Sequence, residues 1–194
     1  MIKKKSDKEE IMRVSLEIFN EKGYAATSID DICKALAINR PVLYYHFKSK
    51  RDLFFSIHKA HIERNLLPYM ETASKIKDPL KRLSFMVEEF ARMISHHPEL
   101  RLLIHETMSL KDDYFAEVRL TWRNHYILLK QTISELVESK IIKKRIKPSW
   151  ASLFVLGMIT WMTFWLDFDK KENQEDLFEA VKDFVLTGLL GRNP

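Results

Sequence analysis

The stretch Thr27-Ser28-Ile29-Asp30-Asp31-Ile32-Cys33-Lys34-Ala35-Leu36-Ala37-Ile38-Asn39-Arg40-Pro41-Val42-Leu43-Tyr44-Tyr45-His46-Phe47 decides the fold, because it holds two short helices with almost nothing between them. Thr27 and Ser28 each stand three residues ahead of an acid. That is a hydroxyl cap with a carboxylate at the third helical position, in two overlapping registers, so a helix starts near Ser28. Ile29, Ile32, Cys33 and Leu36 form its inner face. Only Ala37-Ile38-Asn39 separates it from a second helix over Arg40 to Phe47, capped by Asn39 and carrying Pro41 in its first turn. Two short helices about so tight a turn are a helix-turn-helix.

Upstream, Ile11, Val14, Ile18 and Phe19 recur at helical spacing between a Ser6 or Asp7 cap and the stop at Gly23, which predicts a helix over 7–22. Downstream, Ser49 caps a long helix over 50–75 that Pro68 should kink or end early. Further helices follow near 79–96, 98–110, 113–141, 149–167 and 174–190, punctuated by Pro79, Pro98, Asp112, Pro148 and Asn173. The expected fold is all-α with about nine helices. From the residues alone, 1–48 is expected to be a three-helix domain built on the helix-turn-helix and 49–194 a second, helical domain, with helix 50–75 as the only covalent path between them.

Composition agrees. With 4 Gly and 6 Pro in 194 residues, strand-and-turn architectures lack their punctuation. The single Cys33 has no partner for a disulfide or a paired-cysteine site, which fits a reducing cytoplasm. Net charge is +5, and residues 1–50 hold ten Lys or Arg against seven acids, a balance that suits an anionic partner. Pro148 to Leu166 carries no charge, yet Ser149, Ser152, Thr160 and Thr163 and the lack of a second span favour a helix buried on all sides in a core or dimer interface over membrane insertion. No membrane partner is expected.

The runs Phe19-Asn20-Glu21-Lys22-Gly23-Tyr24-Ala25-Ala26-Thr27-Ser28-Ile29-Asp30-Asp31-Ile32 and Leu43-Tyr44-Tyr45-His46-Phe47-Lys48-Ser49-Lys50 resemble the tetracycline-repressor (TetR) family over about residues 7–55. The resemblance implies a homodimeric regulator of transcription that binds double-stranded operator DNA. From the residues themselves, Leu43 and Phe47 lie one turn apart and dock the second helix, leaving Arg40, Val42, Tyr44 and His46 mainly outward. Arg40 is suited to guanine N7 and O6, and Pro41 or Val42 to a thymine methyl. The alternative for Arg40 is a solvated surface charge, and for Tyr45 an inward, packing role. Tyr44, Tyr45, His46 and Lys50 match positions at which the family pattern implies phosphate contacts, joined by the Thr27 and Ser28 hydroxyls; Asn39 completes the expected DNA-binding set. Two departures stand out: Ala37 where the family usually has Gly, and Asn39-Arg40-Pro41 where Ser-Lys-Gly or Ser-x-Gly-Thr is common. The first strains a left-handed position mildly, and the second alters the groove-facing tip.

In the C-terminal part, Phe85, Met86, Phe90, Met93, Ile104, Met108, Trp122, Tyr126, Trp161, Phe164 and Trp165 recur at helical spacing. They read either as plain core or as the wall of a site for a bulky, hydrophobic effector. Val155 to Trp165 also resembles the penultimate helix of the TetR-family branch associated with fatty acyl-CoA ligands. The last two helices are where the family forms a four-helix dimer interface, which implicates Ala151, Phe154, Met158, Leu177, Val181, Phe184 and Val185.

An enzyme lacks its parts: there is no Gly-rich phosphate loop, HExxH, GxSxG or paired-cysteine pattern. No catalytic residue, cofactor or metal is expected, since His58 and His61, and His96, His97 and His105, have no convergent thiolate or carboxylate pattern. The expected function is a repressor released from a palindromic operator by a hydrophobic small molecule. The alternative is a non-sensing DNA-binding dimer with a filled C-terminal core.

Overall fold

The computed structural model describes residues 7–97, 99–109, 115–142, 146–165 and 174–191, apart from the side chains of Arg101, Thr107, Met108, Ser109, Thr163, Trp165 and Gln174. Within them the order is α1 (Lys8–Lys22), α2 (Ile29–Leu36), α3 (Arg40–His46), α4 (Lys50–His61), a π-helical turn (Ile62–Leu66), α5 (Leu67–Lys75), α6 (Pro79–His96), α7 (Leu100–Ser109), α8 (Ala116–Glu138), α9 (Pro148–Trp165) and α10 (Gln174–Leu190). Counting Lys50 to Lys75 as one interrupted helix gives nine helices and no strand among the described residues. The interruption has a local cause. Pro68 has no N–H for the Arg64 carbonyl four residues back, and the chain takes the wider π turn just before it.

Most boundaries follow from capping chemistry. The Asp7 side chain accepts from the Glu10 N–H at 2.8 Å, and Gly23, at φ +83°, ends α1 where a side chain would be strained. Ser28 and Asp31 form a reciprocal capping box at the start of α2. Asn39 occupies the cap position of α3, but its side chain makes no capping bond, contrary to expectation. Ala37 ends α2 in the left-handed region at φ 51°, ψ 38°, with the Ile38 N–H reaching back to the Cys33 carbonyl at 3.0 Å. A Cβ there clashes with the backbone, so Ala37→Gly is expected to stabilise the protein by about 1 kcal/mol. A rise of about 4 °C in Tm would show it; an unchanged or lower Tm would count against the strain.

The chain divides into two compact units, Met1–Arg64 with Leu102–Val118 and Asn65–Arg101 with Arg119–Pro194. It therefore passes between them at three places: within the π turn, within α7 and near the start of α8. Residues 102–118 thus group with the N-terminal helices.

In the first unit α1 packs on α2 and α4, and α2 on α3. Ile11, Phe19, Ile32, Leu43, Leu53 and Phe54 are its fully buried centre, with the Phe19 and Phe54 rings edge to face at 5.7 Å. In the second unit α6 lies against α5, α9 and α10. Its one buried guanidinium among the described residues, Arg82, is held by the Glu135 carboxylate, the Thr132 hydroxyl at 2.9 Å and the Ile76 carbonyl at 3.3 Å. Phe178 is buried beneath Arg92, whose guanidinium stands 4.7 Å from the ring centre and pairs with Glu175. No helix of the described residues is long and apolar enough to cross a membrane.

Candidate nucleic-acid interface

Leu43 and Phe47 are buried, and they orient α3 by anchoring one side of it. Arg40, Pro41, Val42, Tyr44 and Tyr45 are consequently exposed, and His46 is half-buried. Tyr45 is 83 % exposed, so neither tyrosine of the pair takes the inward role weighed for it. Its ring meets His46 edge to face at 5.0 Å.

Arg40 is not a solitary charge. Its Nε donates to Asp30 Oδ1 at 2.7 Å and its Nη2 to Asp30 Oδ2 at 2.5 Å, a two-pronged pair joining the first residue of α3 to α2. The bond to Arg40 holds the Asp30 carboxyl below its ordinary value, and the same bond raises Arg40.

Three residues expected at phosphates are committed elsewhere. Thr27 is buried, and its hydroxyl donates to the Gly23 carbonyl at 2.8 Å. The Ser28 hydroxyl donates to Asp31 at 2.6 Å and accepts from the Asp31 N–H at 3.1 Å. These Ser28 bonds, with help from Lys22, pull the Asp31 carboxyl down to about 2. Lys50 donates to the carbonyls of Tyr24 at 2.8 Å, Ala25 at 3.4 Å and Thr27 at 2.7 Å, and sits 4.5 Å from the Tyr24 ring centre. Burial lowers its pKa.

In the structure three carbonyls of the α1–α2 loop converge on the Lys50 ammonium, which ties that loop to α4. Lys50→Ala is expected to cost about 1–3 kcal/mol of stability by orphaning these acceptors. Unchanged Tm with uniformly weaker DNA binding would restore the phosphate role.

Of the residues expected around an effector, Met86, Phe90 and Met93 are buried in the second unit, where Phe85, Trp122 and Tyr126 are half-buried. Ile104, half-buried, belongs to the first unit. The side chains of Met108 and Trp165 lie outside the described residues. Trp161 and Phe164 depart from the interior placement: they are exposed, with ring centres 4.7 Å apart.

Two residues that sequence reasoning passed over complete the aromatic cluster, Tyr69 and His125. The Tyr69 ring stacks on Phe85 at 6.0 Å, and His125 stands edge to face with Phe90 at 4.7 Å and tilted against Trp122 at 6.3 Å. The Tyr69 hydroxyl lies within hydrogen-bond reach of both the Met86 carbonyl, at 3.1 Å, and His125 Nε2, at 3.0 Å. The other ring nitrogen, Nδ1, is buried without a hydrogen-bond partner. Burial pushes His125 down to about 4. The spacing Val118, His125, Leu129, Ile133, Leu136 is the buried side of α8, and that periodicity was the available signal.

On α9 the interior side is Ala151, Val155 and Ile159, while Trp150, Leu153, Phe154, Trp161 and Phe164 form an exposed stripe. Within the single chain α9 is therefore buried on one side. On α10, Phe178, Val181 and Val185 turn inward and Phe184 is 71 % exposed. Among the expected interface residues Ala151, Val181 and Val185 are buried within the single chain. Phe154 stands outward, and Met158 and Leu177 are half-buried. Ala151 and Val185 also form, with Phe154, Met158, Phe184 and Gly188, the wall of an open apolar groove.

The sequence pattern described as "Bacterial regulatory proteins, tetR family" matches residues 11–57, and that of "Tetracyclin repressor-like, C-terminal domain" matches 77–189. The chain belongs to the TetR family. It is a DNA-binding regulator of transcription of that family, with the helix-turn-helix in its N-terminal part. The HTH-type transcriptional regulator AcrR of Shigella flexneri is 27 % identical, over 96 % of this chain and 93 % of that protein. Among solved structures, the TetR-family regulator PfmR of Thermus thermophilus superposes with a TM-score of 0.81 at 27 % identity, covering 92 % of this chain and 98 % of that one. AibR, in complex with isovaleryl coenzyme A and operator DNA, shares the fold with a TM-score of 0.82 at 19 % identity, covering 96 % and 99 % of the two chains.

Proposed function

We propose that this TetR-family protein is a cytoplasmic homodimeric repressor that grips a pseudo-palindromic operator through α3 and lets go when a hydrophobic effector enters the aromatic cluster around His125. In this reading residues 1–48 bind DNA and 49–194 dimerise and sense. The observation that carries the DNA half is the division of α3, with Leu43 and Phe47 buried and Arg40, Pro41, Val42, Tyr44 and Tyr45 outward. Asn39, Tyr44, Tyr45 and His46 are the side chains placed to position it on phosphates, while Arg40, Pro41 and Val42 face base edges. Two copies related by a two-fold axis enter successive major-groove faces about 35 Å apart, which demands an inverted repeat. Selection from random duplexes at moderate salt tests this; recovery of no inverted repeat would overturn it.

The effector half is supported by His125 Nδ1, a buried ring nitrogen with no hydrogen-bond partner amid Tyr69, Phe90 and Trp122. Such an orphan is costly in a finished core and useful in a site completed by a ligand. The isovaleryl coenzyme A bound by AibR makes acyl thioesters the first candidates to titrate. To weaken operator binding a hundredfold the effector must prefer the DNA-free state by about 2.7 kcal/mol, and DNA must weaken effector binding equally. The complete burial of Met86 and Phe90 favours the rival, a non-sensing dimer with a filled core. Equal thioester affinity with and without operator, or no ligand-induced thermal shift at all, would leave the rival standing.

A further inference from the structure

We propose that Asp30 sets the base preference of this protein by clamping one edge of the Arg40 guanidinium and presenting the other edge to a guanine. This inference rests on the proposed reading of α3 as the recognition helix.

A guanidinium has five N–H donors in a plane: one on Nε and two on each Nη. Asp30 occupies Nε and one hydrogen of Nη2, at 2.7 and 2.5 Å. What remains is the end of the fork, both Nη1 hydrogens and the second of Nη2, directed away from the carboxylate in the same plane. Two parallel donors at that spacing match guanine O6 and N7 and no other base edge in the major groove. Left alone, an exposed arginine at the start of a helix samples many rotamers, and ordering it on a base opposes binding. The clamp does that ordering before DNA arrives.

Charge and burial support this role over two others. Arg40 and Asp30 side chains are 60 % and 49 % exposed, so the pair holds α2 to α3 only weakly, as exposed ion pairs do. Asp30 is also not needed as a cap, since Ser28 and Asp31 form the box at the start of α2. A carboxylate on the DNA-facing side would repel phosphate unless neutralised, and Arg40 neutralises it. The pair brings no net charge, which suits a reader of bases more than a binder of backbone.

The test is selection from random duplexes followed by competition against single-base variants, using the full-length protein, Asp30→Ala, Arg40→Ala and the double variant. The wild type is expected to enrich guanine at one position in each half-site. Asp30→Ala should lower that preference about tenfold or more while leaving other positions alone. Arg40→Ala should erase it at the same position, and the double variant should resemble Arg40→Ala because the two residues act as one device. The salt slope should change little in Asp30→Ala. If Asp30→Ala lowers Tm but keeps every base preference, the pair is a helix staple and the proposal fails. Tighter binding to all sequences with unchanged preference makes Asp30 a lock and overturns it too. Should the wild type enrich no inverted repeat, the recognition-helix reading itself falls; should it enrich one that Arg40→Ala leaves intact, only the Arg40 and Asp30 assignment falls.

Discussion

Acidification from about pH 6.5 to about pH 4.5 is expected to remove about 5 kcal/mol of folding stability, before most carboxylates titrate. Each compact unit buries one histidine. Loss of solvation pushes His58 down to about 3, with the nearby His61 adding to the shift, and pushes His125 down to about 4. Unfolded, both return to about 6.5. A folded pKa below the unfolded one means that the unfolded chain binds more protons in between. The stability is therefore fully present above about pH 6.5 and drains as the pH falls toward the folded values. Each histidine contributes a slope of about 1.4 kcal/mol per pH unit in that window. The total rivals the whole margin of a typical domain, about 5–15 kcal/mol. Asp30, Asp31, Glu71 and Glu175 are held below their ordinary values by hydrogen bonds and ion pairs, and they lose most of their contribution in stronger acid than this window. Denaturant unfolding at both ends of the window measures the effect. All four tryptophans, Trp122, Trp150, Trp161 and Trp165, fall in the second unit, so their fluorescence follows the unit that holds His125. His125→Phe should flatten the pH dependence of that signal. Equal wild-type stability at both pH values would overturn the argument.

The helices of this protein are legible in its sequence because their ends are chemical. Asp7, Gly23, Ser28, Ser49, Asp78 and Pro148 mark boundaries by capping or by lacking a donor, and such signals act over four residues. The helix-turn-helix was legible for the same reason. What was not legible acts over longer separations or where pattern vanishes. Asp30 and Arg40 are ten residues apart, and the carbonyls that claim Lys50 are more than twenty away. In α9 nearly every residue is apolar, so the helical phase that separates Ile159 from Trp161 is erased. Pocket and interface residues were mixed there as a result. His125 was missed for the opposite reason: its residue type suggests solvent, while its spacing places it with Leu129 and Ile133.

Phe184→Glu is expected to convert the proposed dimer into a monomer and to weaken operator binding by at least a hundredfold. The stripe Trp150, Leu153, Phe154, Trp161 and Phe164 on α9, with Phe184 on α10, exposes more large apolar side chains on one face than monomers tolerate. In the proposed dimer a second copy of the same face covers it symmetrically, and the apolar groove receives side chains from the partner. Two-fold symmetry doubles every change, so two phenylalanines leave the interface together and two carboxylates enter it. Losing about 2–3 kcal/mol of burial per ring, with an uncompensated charge in each place, takes the dimer past about six kcal/mol, about four decades in Kd. The protomer should not notice, since Phe184 is already 71 % exposed in it. A monomer holds one half-site at a time and loses the effective concentration that links two, worth about a hundredfold to ten-thousandfold. Sedimentation and operator titration read both effects, with a thermal melt to confirm that the fold persists. Leu120→Glu is the control, because Leu120 is an apolar residue, 55 % exposed, on α8 and not on α9 or α10, and should leave both readings unchanged. A Phe184→Glu protein that still sediments as a dimer, or a wild type that never forms one, would place the partner surface elsewhere.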